Sequence, residues 1–351
     1  MLQADNPHTG PAVLILRFSA MGDVAMTAPV IHEFRQNYPD VPLIVVSRHL
    51  YEPFFEGISG LTFHPFYPKG EHKGLKGIWK LYKELNAYPI NRVADLHDSL
   101  RSKLLRNLFS LRGIKVRSID KGRPEKAKLT RIVNKVLVPL KRTTERYADV
   151  FRALGFPFEL KNILAREAPK VSKDQNPILN YEKTQKWIGV SPFAQHAQKI
   201  YPFDKTETVV LQLAEQNYKL FIFGGTEDEK RIAESWEQKH KNVVSLVNKT
   251  DLEGELNFIS RLDLMISMDS LGMHLASLKG IPVVSVWGAT HPFAGFLGYG
   301  QDIKDAVQMD LGCRPCSIYG NKQCFRGDFA CMNYLPENLI IDKVIEKLNY
   351  D

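Results

Sequence analysis

The sequence predicts an α/β protein built from two Rossmann-like parallel-sheet domains. Near the N-terminus, an apolar run at 11–17 is followed by a loop, a helical segment and a second apolar run at 41–46. This order favours parallel strands, because parallel neighbours need a crossover connection between them. The same alternation starts again at Trp187 and continues to Val286, after a polar stretch at 167–184. We therefore expect two sheet domains that face a cleft and bind ligands near the carboxyl ends of their strands.

Each predicted strand is a short apolar run, and the first predicted helix stops at Tyr38-Pro39-Asp40. In the first half, we predict strands at 11–17, 41–46 and 92–97, a helix that begins at Val24 or Thr27 and ends at Asn37, and a helix at 102–111. In the second half, we predict strands at 187–190, 219–223, 243–246, 264–267 and 283–286, and helices at 205–217, 228–239, 256–261 and 272–279. The expected domains are residues 1–170 and 185–335, followed by a C-terminal helix at 336–351.

Length and composition exclude several classes of protein. The chain has 351 residues, which is enough for two domains, and its 44% hydrophobic and 25% charged content excludes a disordered or collagen-like chain. No apolar run approaches the roughly 20 residues that span a bilayer. Residues 1–10 are polar and lack a basic segment followed by an apolar one. We therefore expect a cytoplasmic protein.

Positive charge is concentrated between Arg101 and Arg146. This segment holds 15 Lys and Arg against 3 Asp and Glu, a net of +12, so the rest of the +8 chain carries −4. Such a segment suits phosphates, carboxylates or an anionic membrane surface, and a solvated helical face is the alternative. A nucleic-acid site would place aromatic residues among the charges, but Phe109 is the only one here. The composition therefore disfavours a nucleic-acid-binding protein.

The first candidate catalytic residue is Asp23, in the loop after the first predicted strand. The segment from Arg17 to Asp23 contains one glycine, Gly22, whereas a dinucleotide fingerprint needs three in this turn. A carboxylate at a strand's carboxyl end can act as a general base on an acceptor hydroxyl. Helix capping is the alternative role for this aspartate.

Polar residues also follow strands of the second half. Ser191 and Lys199 come after its first strand, and small hydroxyl groups with a lysine suit a diphosphate. Glu227 follows the Gly224-Gly225 turn and can accept hydrogen bonds from ribose hydroxyls. Asp269 can bind sugar hydroxyls. Ser270 precedes a helix whose free N–H groups suit phosphate, and His274, one turn in, faces either that phosphate or the core.

All four cysteines lie in one short segment, in the pattern C-x2-C-x7-C-x6-C. They are Cys313, Cys316, Cys324 and Cys331. A disulfide-stabilised secreted fold would spread its cysteines over the chain. A structural zinc site and free cytosolic thiols are the two alternatives, and the second pair lacks the spacing of a standard zinc ribbon. We expect no catalytic metal.

Taken together, the motifs resemble glycosyltransferase family 9, the ADP-heptose:lipopolysaccharide heptosyltransferases. The matching segments, in order, are Ile15–Asp23, Asp95–Arg101, Lys199–Pro202, Phe223–Glu227, Asp269–His274 and Trp287–Pro292. The ordered set spans residues 13 to about 340. One departure is that Leu271 stands directly after the Asp-Ser pair, where family members commonly have glycine, and Gly272 follows it.

The resemblance implies a GT-B fold with the acceptor in the first domain and the nucleotide sugar in the second. It implies an inverting, metal-independent transfer in which Asp23 is the general base and Lys199 neutralises the diphosphate or contacts the ribose. Glu227 would bind the ribose, and Thr250 would lie near the base. The full set of implied donor-binding residues is Ser191, Glu227, Thr250, Asp269, Ser270, Gly272, Met273 and His274, and the implied acceptor-binding residues are His97 and Arg101.

The implied partners are ADP-heptose and a lipopolysaccharide-core acceptor of the lipid A–Kdo type. With these partners, the basic segment predicts peripheral attachment to the cytoplasmic face of the inner membrane. No cofactor is expected for catalysis, and zinc at the cysteines would be structural. The alternatives are a related glycosyltransferase with another nucleotide sugar, a nucleic-acid-binding protein, and an inactive structural relative.

Overall fold

The computed structural model describes residues 11–166 and 181–350. Its internal contacts divide the chain into two compact units, of which the first comprises Met1–Lys121 and Thr143–Lys161 and the second Gly122–Arg142 and Asn162–Asp351. The segment Gly122–Arg142 thus packs with the second unit, whereas the sequence places it in the first domain. Most of the predicted linker at 167–184 lies outside the described residues.

Both units contain a parallel sheet, as the sequence predicts. The first sheet has the order β3-β2-β1-β4-β5, and the second has the order β11-β10-β9-β6-β7-β8. The strands of the first sheet are β1 (Ala12–Leu16), β2 (Leu43–Arg48), β3 (Leu61–Phe66), β4 (Ile90–Asp95) and β5 (Lys115–Ser118). Those of the second are β6 (Trp187–Ser191), β7 (Lys219–Ile222), β8 (Val243–Ser245), β9 (Leu264–Met268), β10 (Val283–Trp287) and β11 (Ala306–Gln308).

Helices connect the strands, which confirms the α/β class with two Rossmann-like sheets. In chain order they are α1 (Met21–Ala25), α2 (Thr27–Asn37), α3 (Gly74–Leu85), α4 (Leu100–Ser110), α5 (Arg123–Thr130), α6 (Thr143–Leu154), α7 (Phe203–Glu215), α8 (Glu227–Glu237), α9 (Leu252–Ile259), α10 (Leu271–Leu278), α11 (Ala330–Asn333) and α12 (Glu337–Tyr350). None of the helices that the structure describes is long and apolar enough to cross a membrane.

Buried apolar side chains fix the central strands and the helices against them. Every residue of β1 and β10 is buried, as expected for parallel strands covered on both faces. In the first unit, α2 packs on α6 through Phe34, whose ring lies 4.7 Å from Phe151 and 5.2 Å from Phe156, centroid to centroid. In the second unit, α12 packs on α7. These contacts hold the loops at the carboxyl ends of the strands in place.

The edge strands β3 and β5 are elements that the sequence analysis did not predict. In β5 three of the four residues are exposed and only Val116 is half-buried. Most of β3 is half-buried, and this strand contains Pro65. Edge strands bury less surface than central ones, so they lack the continuous apolar run by which the central strands are recognised.

The order of strands reverses once in each sheet. The chain runs from β1 through β2 to β3, then returns to the other side of β1 to form β4. In the second sheet it runs from β6 to β8 and returns beside β6 to form β9. Loops that leave neighbouring strands in opposite directions open a crevice at this point, where open α/β sheets bind ligands. The crevices lie after β1 and β4 and after β6 and β9.

At the second crevice, a glycine allows the start of α10 to pack closely against β6 and β9. Ser191 on β6 pairs with Ser267 on β9, and Gly272 in the first turn of α10 packs against both. A Cβ atom at Gly272 would lie 2.4 Å from the Cβ and Oγ atoms of Ser191. Gly272 therefore has a packing role here, because only a residue without a side chain fits.

We predict that Gly272→Ala destabilises the second unit. Alanine favours a helix over glycine by up to about 1 kcal/mol, but overpacking against Ser191 costs about 1–3 kcal/mol. Chemical denaturation should show a net loss of stability. Gly225→Ala is the matched control, because a Cβ there meets no atom within 4 Å. Equal stability of the two variants would contradict this packing.

Candidate functional site

A buried arginine organises the crevice of the first sheet. Arg17 follows β1, and its Nη2 lies 2.6 Å from Oδ2 of Asp23. Its Nη1 donates to the carbonyl of Leu96, which follows β4, at 2.7 Å. The backbone oxygen of Arg17 accepts from the Ser47 hydroxyl of β2 at 2.6 Å. Arg17 is 6% exposed, and its guanidinium bridges the backbone after β4 and the Asp23 carboxylate. It therefore holds this carboxylate at the carboxyl ends of β1 and β4.

Asp23 lies at the third position of α1 and uses one carboxylate oxygen for its structural contacts. Oδ2 binds Arg17 and also accepts from the Ala20 backbone N–H at 3.3 Å, which caps the start of the helix. The other oxygen, Oδ1, has no partner among the described residues. The side chain is 28% exposed. The capping role therefore leaves a fixed, accessible oxygen that can accept a proton.

His97 follows β4 and lies at the same crevice as a neutral imidazole. Burial, with Arg17 and Lys121 nearby, lowers the pKa of His97 to about 3. Its Nδ1 accepts from the Phe18 backbone N–H at 3.4 Å, so the ring proton resides on Nε2. The neutral ring can thus donate one hydrogen bond to a ligand without adding charge.

Arg101, the second predicted acceptor residue, is exposed in the first turn of α4. It forms no ion pair among the residues that the structure describes. The turn before it is held by buried Asp95, which accepts from the His97 N–H at 3.0 Å and from Arg106 at 2.8 Å. Arg101 therefore lies beside the crevice, where its charge is available to a ligand. Asp95 positions His97 through the hydrogen bond to its backbone N–H.

A second ion pair lies at the crevice of the second sheet. Lys199, in a short 3-10 turn, has its Nζ 3.0 Å from Oδ2 of Asp269, which follows β9. Both side chains are largely buried, at 16% and 5% exposed. The stem of Lys199 packs against the backbone of Gly320, which has φ +77°. The structure thus pairs Lys199, the predicted diphosphate-binding residue, with Asp269, the predicted sugar-binding residue, 70 positions away in sequence.

The start of α10 offers an anion site next to this pair. Ser270 is the residue before the helix, and its hydroxyl makes no capping bond. Its Oγ is buried without a hydrogen-bond partner among the described residues. An unpartnered hydroxyl beside the free N–H groups of a helix start suits a phosphate oxygen.

Two other predicted donor residues face the protein interior. The side chain of Met273 is fully buried and that of His274 is 7% exposed. Of the alternatives for His274, phosphate or core, the structure therefore places the ring among buried residues. The side chains of these two residues are therefore turned away from the anion site at Ser270.

The predicted ribose and base residues follow β7 and β8. Glu227 is the first residue of α8, and its Oε1 accepts from the Asn248 amide at 3.0 Å. Thr226 and Glu229 cap the helix instead: the Thr226 hydroxyl accepts from the Glu229 N–H at 3.2 Å, and the Glu229 carboxylate accepts from the Thr226 N–H at 3.1 Å. Thr250 is half-buried and lies against Gly254 at the start of α9. Glu227 is thus exposed and free of the capping role.

Sequence reasoning missed Arg17 and Asn248 as site residues. Arg17 stands inside the Ile15–Asp23 motif, and its position directly after a buried strand was the available signal. Asn248 offers no comparable signal, because its contact with Glu227 spans 21 positions and joins the turn after β8 to the start of α8.

The four cysteines are brought together in the second unit, where they line one small cavity. None is in a disulfide. Burial raises the pKa of Cys331 to about 11 and also raises that of Cys316. As free thiols these two groups would be protonated at neutral pH.

A histidine and glutamate cluster in the first unit is better explained by hydrogen bonds than by metal binding. Glu71, His72 and Glu84 bring ligand atoms within 4.8 Å of one another. However, the Nδ1 of buried His72 accepts from the Tyr67 backbone N–H at 3.0 Å, so its Nε2 carries the proton. That proton is donated to Glu84 at 3.0 Å. The nitrogen is therefore not available as a ligand.

Comparison with known proteins identifies the family to which the chain is similar. The family model for glycosyltransferase family 9 (heptosyltransferase) matches residues 78–323. The lipooligosaccharide heptosyltransferase 2 of Campylobacter jejuni is 26% identical over 230 residues, which cover 60% of this chain and 71% of the relative.

Two solved structures share the fold over nearly the whole chain. The glycosyl transferase family 9 protein from Veillonella parvula superposes with a TM-score of 0.74 at 17% identity, covering 97% of this chain and 98% of the other. The E. coli heptosyltransferase WaaC with ADP-2-deoxy-2-fluoro heptose has a TM-score of 0.65 at 18% identity, covering 96% and 99%. With its family match over more than half of its length, the chain belongs to glycosyltransferase family 9, the heptosyltransferases.

Proposed function

We propose that this enzyme transfers heptose from ADP-heptose to a sugar of the lipopolysaccharide inner core, with inversion at the anomeric carbon. The observation that carries the proposal is the Asp23 carboxylate, fixed through Oδ2 and open at Oδ1. The family and the WaaC structure with an ADP-heptose analogue support the choice of donor.

Asp23 is the general base in this proposal. Its Oδ1 removes the proton from an acceptor hydroxyl as that oxygen attacks the anomeric carbon of the donor. ADP leaves from the opposite face, so the configuration inverts. Arg17 keeps the carboxylate in place, and the Nε2–H of His97 donates to an acceptor oxygen. Arg101 offers a charge to acidic groups of the acceptor.

The second unit stabilises the leaving group. As the bond to the sugar breaks, negative charge grows on the diphosphate. Lys199, the Ser270 hydroxyl and the N–H groups at the start of α10 supply compensating charge in a preorganised arrangement. Asp269 holds Lys199 and a sugar hydroxyl. Glu227 binds the ribose.

We predict that Asp23→Asn removes most turnover and leaves ADP binding intact. The amide keeps the size of the carboxylate but cannot accept the proton, and losing a general base costs about 10²–10⁴-fold in rate. Turnover is measured by ADP release with a heptose-deficient lipopolysaccharide acceptor, and binding by calorimetry. Asp40→Asn, an exposed residue after α2, is the control. Turnover near wild type in Asp23→Asn would exclude Asp23 as the base.

A nucleotide panel tests the donor. We expect calorimetric titration to rank ADP and ADP-heptose above UDP, GDP and CMP, because the donor site is proposed to be specific for adenosine. Tighter binding of UDP or GDP would indicate a glycosyltransferase that uses another nucleotide sugar as its donor. If none of the five nucleotides binds, the proposed donor site is wrong.

The basic segment supports attachment to an anionic membrane. Its residues Gly122–Arg142, in the second unit, include exposed Arg123, Lys128, Arg131 and Lys141. Beside these charges, the loop 131–138 exposes apolar side chains, with Val133 72% and Ile132 67% exposed. Exposed apolar groups beside cations are typical of surfaces that enter the interface of a bilayer. The proposed acceptor is anchored in such a bilayer, the inner membrane, at its cytoplasmic face.

We predict that attachment has a salt-sensitive part and an apolar part. Wild type should bind phosphatidylglycerol vesicles at low salt and be partly released at high salt, since each basic residue near the surface contributes about 1 kcal/mol. Ile132→Ser combined with Val133→Ser should weaken binding at either salt concentration by at least about tenfold, since burying each side chain contributes about 1.5–3 kcal/mol. Cosedimentation measures both. Leu50→Ser, 62% exposed in the first unit, is the control. Salt-independent binding, or equal binding by all variants, would contradict this.

A further inference from the structure

The segment between β11 and α11 is long and contains all but one of the cysteines. From Met309 to Phe329 the chain forms no helix or strand, although the structure describes every residue of it. Loops longer than about 12–15 residues without regular structure are uncommon in compact domains and are usually functional or disordered. Here, Cys313, Cys316 and Cys324, with Cys331 of α11, line one cavity. Four thiols are therefore the feature around which this loop is arranged.

A buried cation with no acidic hydrogen-bond partner among the described residues lies beside the thiols. Arg314 is 4% exposed and also lines the cavity. The hydrogen bonds of its guanidinium all go to neutral groups, namely the carbonyls of Trp287, Gly288, Met309 and Thr290 and the amide oxygen of Gln308. A buried charge without a counter-charge is strongly destabilising. None of these hydrogen-bond partners carries a negative charge, and the Asp310 carboxylate acts on Arg314 only through longer-range electrostatics. Further negative charge in the cavity would therefore stabilise the arginine.

A second cation approaches from the loop 131–138. Lys135 donates from Nζ to the carbonyls of Cys313 at 2.6 Å and Pro315 at 3.0 Å. Its partners are again neutral. Two positive charges thus border the four thiols.

We propose that Cys313, Cys316, Cys324 and Cys331 bind one divalent thiophilic metal ion as thiolates, and that this centre positions Lys199 for the donor. Four thiols lose four protons as four metal–sulfur bonds form, and no electron is transferred. A divalent ion with four thiolates carries a charge of −2, which balances Arg314 and Lys135. Metal–sulfur distances of about 2.3 Å, as in zinc sites, would draw the four side chains inward over the cavity.

The route from this centre to Lys199 is a series of backbone contacts. The N–H groups of Cys316 and Ser317 donate to the carbonyl of Ala289 at 3.0 and 3.2 Å. The N–H of Ala289 donates to the carbonyl of Gln198 at 3.2 Å. Gly320, in the cysteine loop, packs against the stem of Lys199. The loop therefore forms the support behind the lysine, although no cysteine touches the proposed donor.

Metal analysis tests the site itself. The full chain is expressed in medium supplemented with zinc and iron, purified without chelator, and analysed by elemental mass spectrometry. We expect about one metal ion per chain, zinc or iron, and loss of that ion in Cys324→Ser. Gln323→Ser, at the exposed neighbouring position, is the matched control and should keep the metal. Cys324→His should restore part of the metal content, because imidazole is also a zinc ligand.

ADP affinity tests the coupling to Lys199, which rests on the proposed function. Cys324→Ser should weaken ADP binding on the order of tenfold, the effect of losing one charge-assisted contact. In a Lys199→Ala background, Cys324→Ser should not weaken ADP binding further, since the lysine that the metal centre positions is absent. A merely structural role of the loop would instead give additive losses.

The possible failures are distinguishable. Wild type without bound metal, or with metal retained in Cys324→Ser, would overturn the site whatever the ADP result. Metal that is present and lost as expected, with additive ADP losses, would overturn the positioning role. Wild type that binds metal but no ADP would overturn the proposed function and the positioning role while leaving the metal site in place.

Discussion

Parallel pairing of the strands is the constraint on which the candidate site depends. Because each strand must be followed by a crossover, every loop that follows a strand's carboxyl end lies at one edge of its sheet. Where the strand order reverses, beside β1 and β6, neighbouring loops diverge and leave room for a ligand. Asp23 and His97 lie at the first reversal, and Lys199 and Asp269 at the second. The chemistry of each unit is thus placed by topology before any side-chain contact is made.

Two ion pairs with different consequences occupy these crevices. The guanidinium of Arg17 donates to the backbone oxygen of Leu96, and the backbone oxygen of Arg17 accepts from the Ser47 hydroxyl. The pairing of this fixed arginine with Asp23 immobilises one carboxylate oxygen and leaves the other open. Lys199 has Asp269 as its only described ion-pair partner and is supported from behind by the loop at Gly320. The first pair therefore suits a base of fixed geometry. The second suits a cation that can be shared between a carboxylate and an incoming diphosphate.

The two clusters of potential metal-binding residues show why proximity alone does not define a metal site. In the first unit, His72 and Glu84 lie within bonding distance, but the proton on the histidine is already donated, so the group is satisfied. In the second unit the four thiols are less closely gathered, yet buried Arg314 beside them has only neutral partners. A buried charge without an acidic hydrogen-bond partner is the stronger indication, because burying such a charge costs more free energy than leaving a thiol protonated.

The sequence by itself determined the central strands, the positions of Asp23 and Asp269 after them, and the clustering of the cysteines. These are local properties, since a buried strand needs a run of apolar residues and the next residue must lie at the sheet edge. The tertiary structure decided the rest: the pairing of Arg17 with Asp23 through Oδ2, the contact between Lys199 and Asp269, the burial of Met273, and the division of the basic segment between two units. Edge strands such as β5 also belong to this group, because little of their surface is buried. Such features depend on which distant segments pack together, and the free energy of that packing is not encoded in any single stretch of chain.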